Sequence, residues 1–246
     1  MATAFFRFYA ELNDFLPRRR RQREFAVPLD GSPAVKHVIE ALGAPHPEVD
    51  LILVNGQAVD FSYHLQDGDR VSVYPVFETF DITPLNRLRP HPLRQPRFVL
   101  DGHLGRLAAY LRMLGFDTLY TPDAEDEHLA QLASDEKRIL LTRDRGLLKR
   151  SLVARGYCVR QDDPHAQIVE IVERFDLRSA AAPFTRCLRC NGLLEAVNKA
   201  DVIQQLQPNT LQFYNEFHRC ALCGQVYWKG SHYQRMQRLL LELNIL

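Results

Sequence analysis

No run of apolar residues in this sequence approaches the ~20 residues that a membrane-spanning helix needs, which argues against a membrane protein. Residues 1–8 also lack a charged segment followed by a long apolar stretch, so a secretory signal is not expected. We therefore predict a cytoplasmic protein that does not act at a membrane.

The sequence has no large excess of positive or negative charge, and it also lacks the glycine motifs of nucleotide-binding enzymes. The net charge is +1, so no global field draws the chain to nucleic acid, and any basic binding surface must be local. Neither G-x-G-x-x-G nor G-x-x-x-x-G-K-[ST] follows a predicted strand, which disfavours a dehydrogenase or a P-loop enzyme. The 246 residues leave room for one large domain or two to three small ones, and the apolar content of 46% is enough to build their cores.

Cysteine is present in a pattern that predicts a metal site. Four of the five cysteines form two C-x2-C pairs, Cys187 with Cys190 and Cys220 with Cys223. In a reducing compartment such pairs indicate metal binding rather than disulfides, and four thiolates at tetrahedral positions make a closed structural zinc site. Gly192 and Gly224 follow the pairs, where the backbone of a zinc knuckle turns tightly. A rubredoxin-type iron site stays open as the alternative, and a redox pair is weaker because the pairs are matched.

Three short apolar runs organise the middle of the chain, at 98–100, 138–142 and 157–159. Short runs of this kind are typical of strands buried on both faces of a parallel sheet. Helical patterns separate the runs, and the one after the second run spans about 144–154. The alternation of strands and helices predicts a doubly wound α/β unit.

An aspartate follows each of these runs: Asp101, Asp144, and Asp162 or Asp163. Ligands of such sheets bind outside the carboxyl ends of the strands. Because gathered carboxylates repel one another, a cluster there favours a hard cation, Mg²⁺ or Mn²⁺, which activates water for attack on a phosphodiester. The alternative is that each aspartate only caps the helix that follows it.

The first 80 residues follow the order of a β-grasp fold, with two strands, a helix and further strands. The helix is predicted over 33–42 with Ser32 as its N-cap, and the last strand over 70–75. The arginine run at 18–21 lies in the first hairpin loop, where it is either a solvated loop tip or an RNA backbone contact.

Residues 81–97 hold four prolines and four arginines, a composition that predicts an extended linker. The predicted organisation is therefore a β-grasp domain at 1–80, this linker at 81–97, an α/β domain at 98–178, and a zinc ribbon with a terminal helix at 179–246.

Three segments together resemble the Mut-7 C-terminal RNase family, which joins a PIN-like nuclease fold to a zinc ribbon. They are FVLDGHLGRLA at 98–108, LRMLGFD at 111–117 and ILLTRDRGLL at 139–148. The four paired cysteines with YWKGSH at 227–232 look like the family's ribbon, and some bacterial members carry an amino-terminal ubiquitin-like domain.

The segments LVNG at 53–56 and GDRVSVYP at 68–75 resemble ubiquitin-like sulfur carriers of the ThiS and MoaD type. Those carriers act through a carboxyl-terminal Gly-Gly, which this domain lacks. A docking or scaffolding role is therefore what the resemblance leaves for residues 1–80.

The resemblance implies a metal-dependent ribonuclease and assigns roles to single residues. Asp101 and Asp144 match the PIN-like acids after the first and third strands. Asp126 looks like the second acid, with Glu127 and Asp123 as competitors. The fourth acid would be Asp162 or Asp163. Arg143 and Lys149 would contact phosphate near a helix amino terminus.

We predict an α/β protein with a PIN-like doubly wound parallel sheet, an N-terminal β-grasp domain and a C-terminal zinc ribbon. It would hydrolyse RNA with Mg²⁺ or Mn²⁺ and hold one structural zinc, and its ubiquitin-like domain would dock a protein partner. Two alternatives stay open: a non-catalytic RNA-binding module, in which the acids are only caps, and a protein-interaction adaptor.

Overall fold

The first sheet of the computed structural model has the strand order β2-β1-β5-β3-β4, in which β1 and β5 are parallel and the other pairs are antiparallel. The structure describes residues 2–75, 87–88 and 96–245. The elements of this first domain are β1 (Thr3–Phe8), β2 (Phe25–Pro28), α1 (Val35–Leu42), β3 (Val49–Val54), β4 (Gln57–Val59) and β5 (Arg70–Pro75). The predicted β-grasp fold is confirmed.

Alternation and helical spacing explain the core of this domain. Along β1, Ala4, Phe6 and Phe8 are buried while the residues between them are more exposed. The predicted cap of α1 is wrong, because the helix begins two residues later than expected and its N-cap is Ala34. The Ser32 hydroxyl instead donates to the carbonyl of Leu65 at 2.9 Å.

The middle of the chain alternates between strands and helices, as the apolar runs predict. Its elements are β6 (Phe98–Leu100), α2 (Gly105–Met113), β7 (Thr118–Tyr120), α3 (Asp126–Asp135), β8 (Ile139–Thr142), α4 (Arg145–Leu148), β9 (Gly156–Cys158) and α5 (Pro164–Arg174). Strands β6 and β7 pair in parallel, and so do β8 and β9. The predicted α/β class with parallel strands is confirmed.

Helix α4 is shorter than the predicted span of 144–154. After Leu148 the chain makes tight turns, in which Arg150 N–H donates to Leu147 and Val153 N–H donates to Arg150. The side chain of Val153 is fully buried, so burial of this residue favours the turns over a longer helix.

The last third forms a small antiparallel sheet in the order β10-β11-β12, followed by a helix. Its elements are β10 (Leu194–Val197), α6 (Pro208–Phe213), β11 (Phe217–Cys220), β12 (Val226–Trp228) and α7 (Ser231–Glu242). Val202, Phe217 and Val226 form the core of this sheet.

The chain divides into two compact units, and both are discontinuous in sequence. The first comprises 1–94 and 126–158, and the second comprises 95–125 and 159–246. The predicted domain boundaries stay predictions, and most of the predicted linker at 81–97 lies outside the described residues.

Within the first unit, the β-grasp domain packs on residues 126–158. The side chain of Glu48 is 0% exposed, and its Oε1 accepts a hydrogen bond of 2.5 Å from the backbone N–H of Cys158 in β9. The Lys149 ammonium donates to the carbonyl of Glu40 at 2.7 Å. The Arg145 guanidinium lies 5.0 Å from the ring centroid of Phe15.

The second unit has an aromatic core below β6. The ring of Phe98 meets Phe116 at 6.0 Å and Phe175 at 5.9 Å, both edge to face. Over 2–75, 87–88 and 96–245, no helix combines the length and the apolar character that crossing a membrane would require.

We predict that Glu48→Ala lowers the free energy of unfolding of the full chain by about 1–3 kcal/mol, because it removes a buried acceptor of the Cys158 N–H. Urea unfolding measures the loss, and amide hydrogen exchange of Cys158 should accelerate with it.

Glu48→Gln keeps an acceptor oxygen and should cost less. Glu24→Ala is the surface control, because the Glu24–Arg70 ion pair is exposed and such pairs contribute about 0–1 kcal/mol. Equal stability of Glu48→Ala and the parent would contradict the prediction.

Candidate functional site

The four paired cysteines come together at one point of the second unit. Their sulfur atoms all lie within 4.8 Å of one another, with Cys187 3.6 Å from Cys223 and Cys190 3.4 Å from Cys220. Ligands at ~2.3 Å from a common zinc ion are separated by roughly 3.8 Å in a tetrahedron. The cluster is therefore compatible with a structural zinc. In the described part of the chain, no other group of three or more potential ligands of this kind is present.

The two knuckles turn through different residue types. Gly224 has a φ of +72° in the second knuckle, and Asn191 has the same φ in the first. Gly192, which the sequence suggests as the turning residue, has another role, because a Cβ there would lie 2.8 Å from the sulfur of Cys220. Asparagine tolerates the left-handed conformation, so it can replace glycine at this turn.

Hydrogen bonds prepare the sulfur of Cys187 for the thiolate form. Burial raises its pKa, but the Tyr227 hydroxyl at 3.1 Å and the backbone amides of Cys190 and Arg189 lower it more, to about 7. Burial raises the pKa of Cys190 to about 12. The pKa of Cys187 is thus lowered and that of Cys190 is raised, and a bound cation would favour the thiolate form of both residues. The oxygen of Tyr227 also accepts from Leu188 N–H at 3.2 Å, which joins β12 to the first knuckle.

The aromatic residues around the knuckles serve mainly as a small core. Phe217 is buried with Tyr214 packed on the same cluster, and Tyr233 lies 4.5 Å from the ring of Phe184. Phe213 is 70% exposed and Trp228 is 37% exposed.

Arg112 connects the first knuckle to the α/β elements of the second unit. This buried arginine on α2 donates to the carbonyl of Thr118 at 2.9 Å and to the carbonyls of Leu188 and Arg189 at 3.1 and 3.0 Å. Burial lowers its pKa, and the nearby Cys187 and Cys190 oppose that shift. The knuckle therefore fixes the start of β7.

Asn191 makes a second connection between the same two regions. Its side-chain oxygen accepts from Thr118 N–H at 3.0 Å, and its amide donates to Asp117 at 2.8 Å. Arg186 donates to the carbonyls of Gly115 and Asn191 at 3.1 and 2.9 Å. The sequence does not reveal Arg112 or Asn191 as important, since most of their partners are more than 70 residues away along the chain. The only local signal is the match between Asn191 and Gly224 after the two cysteine pairs.

Asp101 lies at the end of β6 and caps the short helical turn Gly102–Leu104. Its Oδ1 accepts from His103 N–H at 3.1 Å. The loop is closely packed, because a Cβ on Gly102 would come 2.1 Å from the carbonyl oxygen of Pro122. The hydroxyl of Tyr120 donates to the Gly102 carbonyl at 2.8 Å. The loop after β7 therefore holds the Asp101 loop in place.

Asp144 lies at the end of β8 and is the N-cap of α4. Its Oδ1 accepts from Gly146 N–H at 2.6 Å and from Leu147 N–H at 3.4 Å. The Thr142 hydroxyl in turn accepts from Asp144 N–H at 2.9 Å. Both capping bonds use Oδ1. Asp144 is an exposed residue, and its Oδ2 has no hydrogen-bond partner among the described residues.

The other two predicted acids are exposed. Asp126 is the first residue of α3 and lies 3.9 Å from Arg150. Asp162 precedes Asp163, which is the N-cap of α5 and accepts from His165 and Ala166 N–H at 3.0 Å each. Asp126 and Asp144 belong to the first unit and Asp101 and Asp162 to the second, so their convergence stays a prediction.

The two predicted phosphate contacts also belong to the first unit. Arg143 is exposed beside Asp144. Lys149 is half-buried, and its hydrogen bond to Glu40 ties α4 to the β-grasp domain. A role of either residue in binding phosphate stays a prediction.

Comparison with known proteins gives matches over both parts of the chain. The family model of the Mut7-C RNAse domain matches residues 96–240, more than half of the chain, and that of the Mut7-C ubiquitin matches residues 1–81. A human protein named exonuclease mut-7 homolog is 35% identical over 106 residues, which cover 41% of this chain and 12% of that protein. The chain thus spans a small part of that relative's length.

Two crystal structures of small archaeal modifier protein 1 from Haloferax volcanii are similar to part of the chain. One is 20% identical and covers 31% of this chain and 100% of that one, and the other is 18% identical and covers 32% and 99%. The TM-score is 0.26 in each case. On the two family matches, the chain belongs to the Mut7-C RNAse domain family, and a Mut7-C ubiquitin domain precedes its RNAse domain.

Proposed function

We propose that the chain is a metal-dependent endoribonuclease that hydrolyses RNA phosphodiesters and leaves 3′-hydroxyl and 5′-phosphate ends. Its family supports a nuclease-related role. The observation that carries the proposal is the geometry of Asp144. This exposed residue follows a buried strand, and it caps the next helix through Oδ1 alone. Its Oδ2 can therefore bind a cation.

The acids fit Mg²⁺ or Mn²⁺ because these ions prefer carboxylate oxygen ligands. Asp101, Asp126, Asp144 and Asp162 would hold the ion, with Asp163 as a rival to Asp162. When bound, such an ion lowers the pKa of water and neutralises charge on the phosphate. The exposed pair of Asp126 with Arg150 is weak at 3.9 Å, so it does not prevent Asp126 from binding an ion.

Basic side chains near the acids would hold the RNA backbone. Arg143 is adjacent to Asp144, and Arg150 lies beside Asp126. Lys149 already donates to Glu40, so its part in substrate binding would be secondary to its part in joining α4 to the β-grasp domain. Arginine suits this role because its planar guanidinium contacts phosphate through two N–H groups.

The cysteine cluster would hold one structural zinc. Four sulfur ligands complete a tetrahedral site, so no position is left for catalysis. Zinc would stabilise the first knuckle, whose carbonyls at Leu188 and Arg189 accept from Arg112. Through Arg112, zinc binding would support β7 and the loop that packs on Gly102.

The ubiquitin-like domain would act as a scaffold and dock a protein partner. The contacts of Glu48, Lys149 and Arg145 support the scaffold role, since they tie this domain to elements around Asp144. The protein-interaction adaptor and the non-catalytic RNA-binding module are the competing functions that the experiment below separates.

We predict that purified protein cleaves labelled single-stranded RNA in Mn²⁺ or Mg²⁺, and that Asp144→Asn reduces the rate about a thousandfold. Asparagine keeps the capping oxygen, so the melting temperature should hardly change. Cleavage is followed on a denaturing gel, and dialysis rather than a chelator removes Mg²⁺ and Mn²⁺, so that zinc stays bound.

Asp30→Asn is the matched control, because Asp30 is an exposed aspartate in the loop after β2 and is far in sequence from the four proposed acids. Full activity of Asp144→Asn would contradict the acidic site. RNA binding without cleavage in any metal would favour the binding module, and neither binding nor cleavage would favour the adaptor.

We also predict one zinc per chain by metal analysis, lost in Cys220→Ser together with folded structure in residues 179–245. Because Arg112 and Asn191 join the knuckle to Thr118, amide exchange at Thr118 should accelerate in the same variant. Cys158→Ala is the control, because that cysteine lies outside the cluster and the variant should keep its zinc. A normal zinc content and melting curve for Cys220→Ser would refute the assignment.

A further inference from the structure

The second unit has an open cleft that the proposed acidic site does not use. It has a volume of about 510 Å³ and lies among α2, the start of α5 and α7. Its lining residues are Tyr110, His165, His232, Arg235, Met236, Arg238, Leu239 and Glu242.

Three basic side chains that line this cleft are unpaired among the described residues. Within 2–75, 87–88 and 96–245, the exposed side chains of His232, Arg235 and Arg238 have neither a hydrogen bond nor an ion pair. The single carboxylate of the cleft, on Glu242, lies 2.9 Å from Nε2 of His165. Two free guanidinium groups and one carboxylate that already has a partner therefore line the same cleft.

The spacing of the two arginines suits successive phosphates of one strand. Arg235 and Arg238 are three residues apart on α7, so their Cβ atoms are about 5–6 Å apart on one side of the helix. A polyanion can place a phosphate at each of the two arginines and release a counterion at each.

The remaining lining offers contacts for a base. Tyr110 is half-buried and lines the cleft, and Met236 and Leu239 contribute apolar surface to the same lining. A flat aromatic ring next to paired arginines is the arrangement with which proteins bind single-stranded nucleic acid.

The cleft also adjoins a predicted acid. His165 lines the cleft, and its backbone N–H donates to Asp163, the neighbour of Asp162, at 3.0 Å. A strand in the cleft would therefore pass the amino terminus of α5, where the fourth acid of the proposed site lies.

We propose that this cleft binds the backbone of single-stranded RNA, with Arg235 and Arg238 on neighbouring phosphates and Tyr110 against a base. The inference rests on the proposed function for the identity of its ligand. It adds a binding surface on α7 that is separate from the residues proposed to hold the catalytic metal.

The test measures RNA binding without cleavage. The parent is full-length Asp144→Asn with its zinc and without Mg²⁺ or Mn²⁺, and the probe is a fluorescein-labelled unstructured RNA strand followed by anisotropy over a range of salt concentrations. In this background, Arg235→Gln with Arg238→Gln should reduce the slope of log K against log salt by about 1.4, since each phosphate contact contributes about 0.7. The same change corresponds to roughly 25-fold weaker binding at about 0.1 M salt.

The matched control removes two charges elsewhere, in Lys137→Gln with Lys199→Gln, and should leave the slope unchanged. A second comparison uses Tyr110→Leu, which should weaken binding about fivefold or more, and Tyr110→Phe, which keeps the ring and should not. Unchanged binding in the double arginine variant, or equal losses in both double variants, would overturn the proposal.

The outcome is separable from that of the proposed function. If the wild-type protein fails to cleave RNA but the double arginine variant loses RNA binding, the proposal for the cleft is supported and the nuclease proposal is refuted. If the wild-type protein cleaves RNA while the double arginine variant binds RNA as tightly as its parent, the nuclease proposal is supported and the proposal for the cleft is refuted.

Discussion

The gathering of four sulfur atoms within 4.8 Å of one another is the constraint on which this part of the second unit depends. Thiolates within 4.8 Å of one another are stable only with a cation between them, and the hydrogen bonds of the knuckles form around that arrangement. Arg112 donates to two knuckle carbonyls and to the carbonyl of Thr118. The position of the knuckle therefore helps to fix the position of β7. Strand β7 pairs with β6, and β6 leads directly to Asp101. A bound zinc with no chemical part in hydrolysis would in this way support a residue that is proposed to have one.

Capping a helix and binding a cation are compatible tasks for one aspartate. A carboxylate has two oxygens, and at Asp144 both capping bonds fall on the same one. The capping bonds fix the rotamer of the side chain, which removes part of the entropy cost of ordering a ligand. The cap interpretation and the metal-site interpretation of Asp101, Asp144 and Asp163 are therefore not exclusive.

The sequence predicts features that depend on local patterns. Short apolar runs locate the parallel strands, and the C-x2-C pairs identify the cysteine cluster. It fails where a contact joins distant residues: Arg112 and Leu188 are 76 residues apart, and Lys149 and Glu40 are 109 apart. Local propensity also misleads at α4, where burial of Val153 ends a helix that the pattern would continue. Whether the four acids meet is not decided by spacing, because strand ends share an edge only if the tertiary arrangement brings them there.

The discontinuity of the two units has a consequence for synthesis on the ribosome. The strands and helix of the β-grasp domain are complete in the nascent chain at Pro75, but the unit to which it belongs also needs residues 126–158. Residues 95–125 emerge before that unit is finished and must wait for 159–246 to complete their own. Because domains fold in the order of translation, the β-grasp domain can fold before Cys158 is synthesised. The carboxylate of Glu48 then lacks this hydrogen-bond donor until β9 is made. The second cysteine pair and α7 are synthesised after the first cysteine pair and α2, so the cysteine cluster and the cleft on α7 can form only after all the elements that build them have been synthesised.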